Sequence, residues 1–169
     1  MKPNTVGRAV APSRAPHPQP PQTPQDGLPG GTIILTMDGE MPVEFLEPGD
    51  RIITRDSGVA RLVALDRLRL QTRRILITAG SLGDTRPESD LVLPAAQPVL
   101  LRDWRAQALC GRAQALAPAG ALVDGEFVLD LGPGRMDLHR LRFDAPHVIY
   151  AGGLELAAAA PRPALRPAA

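Results

Sequence analysis

Residues 27–58, GLPGGTIILTMDGEMPVEFLEPGDRIITRDSG, restrict the chain to a narrow set of folds. The β-prone runs Thr32–Thr36, Met41–Leu46 and Arg51–Thr54 are separated by Asp38-Gly39 and Pro48-Gly49-Asp50, and Asp56-Ser57-Gly58 follows the last. Glycine reaches positive φ without a Cβ clash and proline fixes φ, so each cluster predicts a tight turn between strands.

The pattern continues downstream. In Val59–Leu70, Leu62, Ala64, Leu68 and Leu70 share one parity and Arg61, Arg67 and Arg69 the other. That alternation predicts a strand with one buried face. The arginines, with Arg73 and Arg74, read as a solvated face that deters edge pairing. No aromatic residue interleaves with them, so stacking on nucleic-acid bases has no support. Arg74–Ala79, Leu91–Leu93, Pro98–Leu101, Leu138–Phe143 and Val148–Tyr150 read as further strands, and Ala113–Leu116 as a helical turn. Asp124-Gly125 predicts a hairpin between Ala121–Val123 and Phe127–Leu131, and Gly132-Pro133-Gly134 a sharp break. No repeat at a fixed period is found. Many short strands with regular turn signals predict an all-β domain. With only 3% aromatic residues its core must be built from Leu, Ile, Val and Ala.

Proline, 19 residues in all, clusters at the two ends. Residues 1–26 hold almost no large apolar side chain and cannot offset the entropy of ordering, so they read as a disordered arm of extended, polyproline character. Pro18, Pro21 and Pro24 have P-x-x-P spacing there, and His17 is expected to be idle. Residues 157–169 read as a second disordered arm, leaving a domain over 27–156. A formal charge of +1 points to neither nucleic acid nor membrane as partner. The lone Cys110 excludes an intrachain disulfide and is expected to be buried and structural. Trp104 is expected in the core or at its rim. No apolar run is long enough to span a bilayer and no signal-peptide core is present, so the default location is cytoplasmic; secretion by a signal-less route would leave no mark.

Four stretches carry a family resemblance. They are the opening quoted above, Leu91–Leu101 (LVLPAAQPVLL), Leu109–Gly125 (LCGRAQALAPAGALVDG) and His139–Gly153 (HRLRFDAPHVIYAGG). Together they resemble the Hint domain, the self-processing module shared by hedgehog proteins and inteins, with the nearest likeness to bacterial Hint-domain proteins. The resemblance implies a compact, flattened β fold of two similar sub-halves, with the chain near residues 27 and 155 brought close together. Strands of the two sub-halves should swap across a pseudo-two-fold axis.

In an active relative the first residue is Cys or Ser and attacks the preceding carbonyl, and a histidine in the second stretch protonates the departing nitrogen. Here those positions fall on Gly27 and Gln97. Glycine has no side chain, and glutamine donates a hydrogen bond but shuttles no proton. In the last stretch His139 and Asp144 match. The next family histidine falls on Pro146, with His147 beside it, and a one-residue slip would turn His147 to the other face. The Asn of some relatives is Gly152. The resemblance therefore implies a Hint-like domain that has lost self-processing and serves as a scaffold or interaction module. The alternatives are an active autoprocessing domain with a non-standard nucleophile such as Thr32, and an unrelated small β-barrel binding domain. No cofactor is expected. A metal site is not expected, since His139 and His147 have no Cys nearby and no evident third ligand. The expected state is a monomer, with a protein partner of unspecified identity.

Overall fold

The computed structural model describes residues 25–158, and the two arms, with His17 and the P-x-x-P spacings, lie outside them except for their innermost residues. The chain forms β1 (Leu28–Pro29), β2 (Ile33–Thr36), β3 (Gly39–Pro42), β4 (Arg51–Thr54), β5 (Gly58–Arg61) and the long β6 (Ala64–Ile77). Then follow β7 (Leu91–Pro94), β8 (Pro98–Leu101), α1 (Trp104–Cys110), β9 (Ala115–Pro118), the long β10 (Val128–Arg142), β11 (His147–Ala151) and β12 (Leu154–Ala158). Short 3-10 helices at Val43–Phe45 and Ala119–Leu122 follow β3 and β9. The all-β expectation holds.

The strands form a four-stranded sheet, ordered β1-β10-β6-β7, and an eight-stranded sheet, ordered β3-β2-β4-β11-β12-β8-β9 with β5 on β4. The four-stranded order reads the same from either side of the β6–β10 ribbon. Each half of the chain lends its long strand to the other: β1 of the first half pairs with β10 of the second, and β7 of the second with β6 of the first. This is the swap expected of two similar sub-halves.

The equivalence reaches single residues. Leu28-Pro29-Gly30-Gly31-Thr32-Ile33 and Leu93-Pro94-Ala95-Ala96-Gln97-Pro98 make the same turn. Thr32 N–H donates to the Pro29 carbonyl and Gln97 N–H to that of Pro94. Ile33 pairs with Pro42 and Pro98 with Pro118. Each of those prolines leads into a 3-10 helix, whose first N–H donates back to Thr32 O in one half and Gln97 O in the other. The second half differs by the insertion of α1, capped by the Asp103 carboxylate on Arg105 N–H and by Gly111 at φ +65°. The repeat has no fixed period for that reason.

Several local expectations are corrected. Met41–Leu46 is strand only as far as Pro42, because the Val43 N–H turns back to Thr32 O and starts a helix. Val59–Leu70 is two strands, and β6 runs on through the stretch read as a separate strand at Arg74. The helix is Trp104–Cys110, while Ala115 and Leu116 lie in β9. Asp124-Gly125 makes no hairpin. The Asp124 carboxylate accepts from the N–H groups of Glu126, Phe127 and Val128 and caps the turn into β10. Gly132-Pro133 is a bulge inside β10, where the register with β6 shifts between Asp130 and Pro133. β12 was not foreseen as a strand and extends through Ala158 into the stretch read as the C-terminal arm. Cys110 is exposed at the end of α1, and Trp104 is 70% exposed, outside the core.

The basic face of β6 is solvated and partnered across the ribbon, Arg69 by Asp137 and Arg73 by Asp130. The core is built from Leu, Ile, Val and Ala around one fully buried aromatic, Phe143.

Candidate functional site

The site is built where the start of the described chain meets its end. β1 lays the Asp26–Gly27 peptide against β10, in register with Leu28 opposite His139. The turn before β8 delivers Gln97, which is 2% exposed. Its Oε1 accepts the Gly27 N–H at 3.0 Å, and its Nε2 donates to the carbonyls of Ala157, 2.9 Å, and Pro98, 3.1 Å. The neighbours dictate which way the amide points, since an N–H needs an acceptor and a carbonyl a donor. One side chain thereby ties residue 27 to residue 157, the closeness expected of the chain ends.

On the other side of the same peptide, the Arg140 guanidinium donates to the Asp26 carbonyl at 3.0 Å and pairs with the Asp26 carboxylate at 3.1 Å. Both side chains are largely buried, 11% and 15% exposed. The Asp26–Gly27 peptide is thus held at its carbonyl by a cation and at its nitrogen by an amide oxygen. A cation on that carbonyl is the arrangement that stabilises charge developing on oxygen during acyl transfer. Gly27 brings no side chain to this peptide, and Gln97 meets its nitrogen with an amide oxygen. Gly27 sits at φ +147°, a conformation L side chains rarely adopt, and a Cβ there would lie 3.1 Å from Leu138 Cβ and 3.4 Å from His139 O. A side chain there would crowd Leu138 by a few tenths of an ångström and strain the backbone.

The other sequence candidates are placed as follows. Thr32, 4% exposed, donates its hydroxyl to Pro29 O at 2.7 Å, a turn role. His139 lies on β10 beside the site; its Nδ1 is buried and has no hydrogen-bond partner among the described residues, and its Cε1 faces Gly30. His147 belongs to a different cluster. Its Nδ1 meets Asp56 Oδ2 at 2.8 Å and Ser57 Oγ at 3.2 Å, and its Nε2 lies 3.9 Å from Asp144, which is 85% exposed. The Asp56 contact sets the tautomer with the proton on Nδ1. This is no nucleophile triad, because serine and aspartate meet the same ring nitrogen. Burial opposes the charge of Asp56, but hydrogen bonds from Val148 N–H and His147 outweigh it and hold the carboxyl below its ordinary 3.8. The Gly31 N–H likewise lowers the Glu44 carboxyl.

Sequence reasoning missed Asp26 and Arg140, and the Ala157 carbonyl. Nothing in the alternation of His139–Phe143 marks Arg140, since its role comes from β1 crossing it. A signal for Gln97 did exist, in the likeness of Leu28–Ile33 to Leu93–Pro98. Glu155, 4% exposed, was also missed; it carries Arg102 at 2.8 Å, Arg55 at 3.2 Å and Arg86 at 3.7 Å. Among the described residues no group of His, Cys, Asp and Glu could hold a metal ion, and no helix is long and apolar enough to cross a membrane.

Comparison with known proteins gives one family and one fold. The sequence profile of the Hint domain matches residues 27–162. Among solved structures, a DnaB intein from Synechocystis sp. PCC 6803 is similar over 79% of this chain and 99% of its own, at 13% identity and a TM-score of 0.54. The gp41-1 intein is similar over 78% of this chain and 97% of its own, at 10% identity and a TM-score of 0.50. The MchDnaB-1 intein covers 76% of this chain and 98% of its own, at 16% identity and a TM-score of 0.50. A search of curated proteins finds no match.

Proposed function

Because the chain belongs to the Hint domain family, we propose that it is a Hint domain without self-processing activity, serving as a scaffold or interaction module. The observation that carries the reading is Gly27. It occupies the family's nucleophile position, and a side chain there would meet Leu138 and strain the backbone. Gln97 supports it, since an amide on the Gly27 nitrogen accepts a hydrogen bond without supplying a proton.

One observation favours the active alternative: the Asp26–Gly27 peptide is still gripped at both ends. Thr32, the non-standard nucleophile considered for it, has its hydroxyl committed to Pro29.

Intact mass separates the two. The purified full chain is held for a day at pH 7–8, with and without a thiol and hydroxylamine, which cleave thioesters and esters. The expected result is an unchanged mass. Scission at Asp26–Gly27 alone, accelerated by either nucleophile, overturns the reading. Asp38-Gly39 and Asp124-Gly125 are internal controls for cleavage that needs no enzyme. Restoring the family residues by Gly27→Cys with Gln97→His is expected to give no scission and to cost about 1–3 kcal/mol, the usual cost of forcing a side chain into such a backbone conformation. A urea titration reads the second effect.

A further inference from the structure

Charge is segregated along this chain in a way its net value hides. All 18 acidic side chains lie between Asp26 and Glu155, while Lys2, Arg8, Arg14, Arg162 and Arg166 lie outside them. Of 19 basic side chains residues 25–158 keep 14 against those 18, a net of −4, and the residues outside them carry +5.

The body also has a cleft, of about 610 Å³, between the Gly30–Gly31 turn and the 84–90 loop with the start of β7. Its apolar lining includes Leu91 and the chain's one tyrosine, Tyr150. Glu40, Asp84, Glu88 and Asp90 line it too, all exposed. Its one cation among the described residues, Arg86, turns toward the buried Glu155. Pro29, the last residue of β1, lines the same cleft with Gly30 and Gly31, three residues beyond Asp26, where the N-terminal arm joins the body.

We propose that this cleft takes a cationic, proline-rich peptide segment, and that its occupant is the chain's own N-terminal arm, residues 1–24. The proposal rests on the reading of the domain as an interaction module and names the class of segment it receives. Extended proline-rich chain docks on aromatic-lined grooves because its conformation is already ordered, and flanking cations supply orientation. The arm brings prolines with Lys2, Arg8 and Arg14 and no acid. From Asp26 back to Arg14 the chain spans at most about 40 Å when extended, enough to reach a cleft at its root. Tethering gives the arm an effective concentration on the order of millimolar, so a weak contact suffices.

Lys2 is the only lysine, so both primary amines, Lys2 and the Met1 amino group, lie in the arm. Carbodiimide coupling of the untagged full chain at low micromolar concentration therefore links only the arm's end to carboxylates. Peptide mapping of the monomeric product is expected to place the links at Glu40, Asp84, Glu88 or Asp90, on the order of tenfold above the other acidic side chains, per residue, as tethered docking predicts. The enrichment should vanish in 1 M salt, where the screening length is about 3 Å, and in an Arg8→Glu/Arg14→Glu variant, which leaves the body untouched. Links spread over exposed carboxylates, or indifferent to that variant, overturn the proposal. So do links found only in a dimeric product, which would assign the cleft to a second copy. Intact mass of the same sample shows separately whether the arm has been released at Gly27, so failure of docking and failure of the non-processing reading are told apart.

Discussion

Gln97→Leu is expected to destabilise the domain by about 2–4 kcal/mol and to expose the Gly27 amide to exchange. The side chain is 2% exposed, and its removal takes the partner from the Gly27 N–H, the Ala157 carbonyl and the Pro98 carbonyl together. Each buried polar group left unsatisfied costs about 1–3 kcal/mol, and the leucine recovers part of that by filling the space. A lower urea midpoint at unchanged slope measures the total. Hydrogen exchange locates it, because loss of protection should begin at Gly27 and in β12 and spare the β6–β10 ribbon. An unchanged midpoint would show that Gln97 does not join the two ends of the domain.

Phe143→Ala is expected to cost more, about 3–5 kcal/mol, the usual range for emptying a buried phenylalanine site. Phe143 is fully buried in a core otherwise aliphatic, so its removal leaves a large cavity. It also holds the His147 ring edge-on at 5.4 Å, and His147 in turn meets the Asp56 turn. A melting temperature lower by roughly 10 °C or more is the expected result for a domain of this size. Phe45→Ala is the control. That ring is 66% exposed, and its removal should change stability by no more than about 0.5 kcal/mol. Equal effects at the two positions would contradict the core described above.

Much of the fold was legible because local rules wrote it. The turns at Asp38-Gly39 and Pro48-Gly49 follow from φ preferences of the residues in them, and β2 and β4 follow from what lies between. The errors fall where a distant partner overrode a local preference. Met41–Leu46 has strand composition, yet Thr32 O captures the Val43 N–H. Asp124-Gly125 has hairpin chemistry, yet the Asp124 carboxylate spends its oxygen on three N–H groups of the next strand. Gly132-Pro133 looks like a break, yet the facing β6 is long enough to carry the pairing past a bulge. The repeat was hidden because α1 interrupts it in one half only.

The chemistry divides along the same line. The sequence by itself determined that position 27 has no nucleophile and position 97 no proton shuttle, because both are properties of single side chains that no fold can add. It also determined the all-β class, since alternation and turn residues act over a few bonds. Only the tertiary structure decided that Gln97 spans Gly27 and Ala157, that Arg140 sits on the Asp26 carbonyl, and that His139 and His147 belong to different clusters. Those contacts join residues 60 to 114 positions apart, from Gln97 with Ala157 to Asp26 with Arg140. They exist because burying two apolar sheet faces forces the long strands of the two sub-halves to exchange, and no local preference records that exchange.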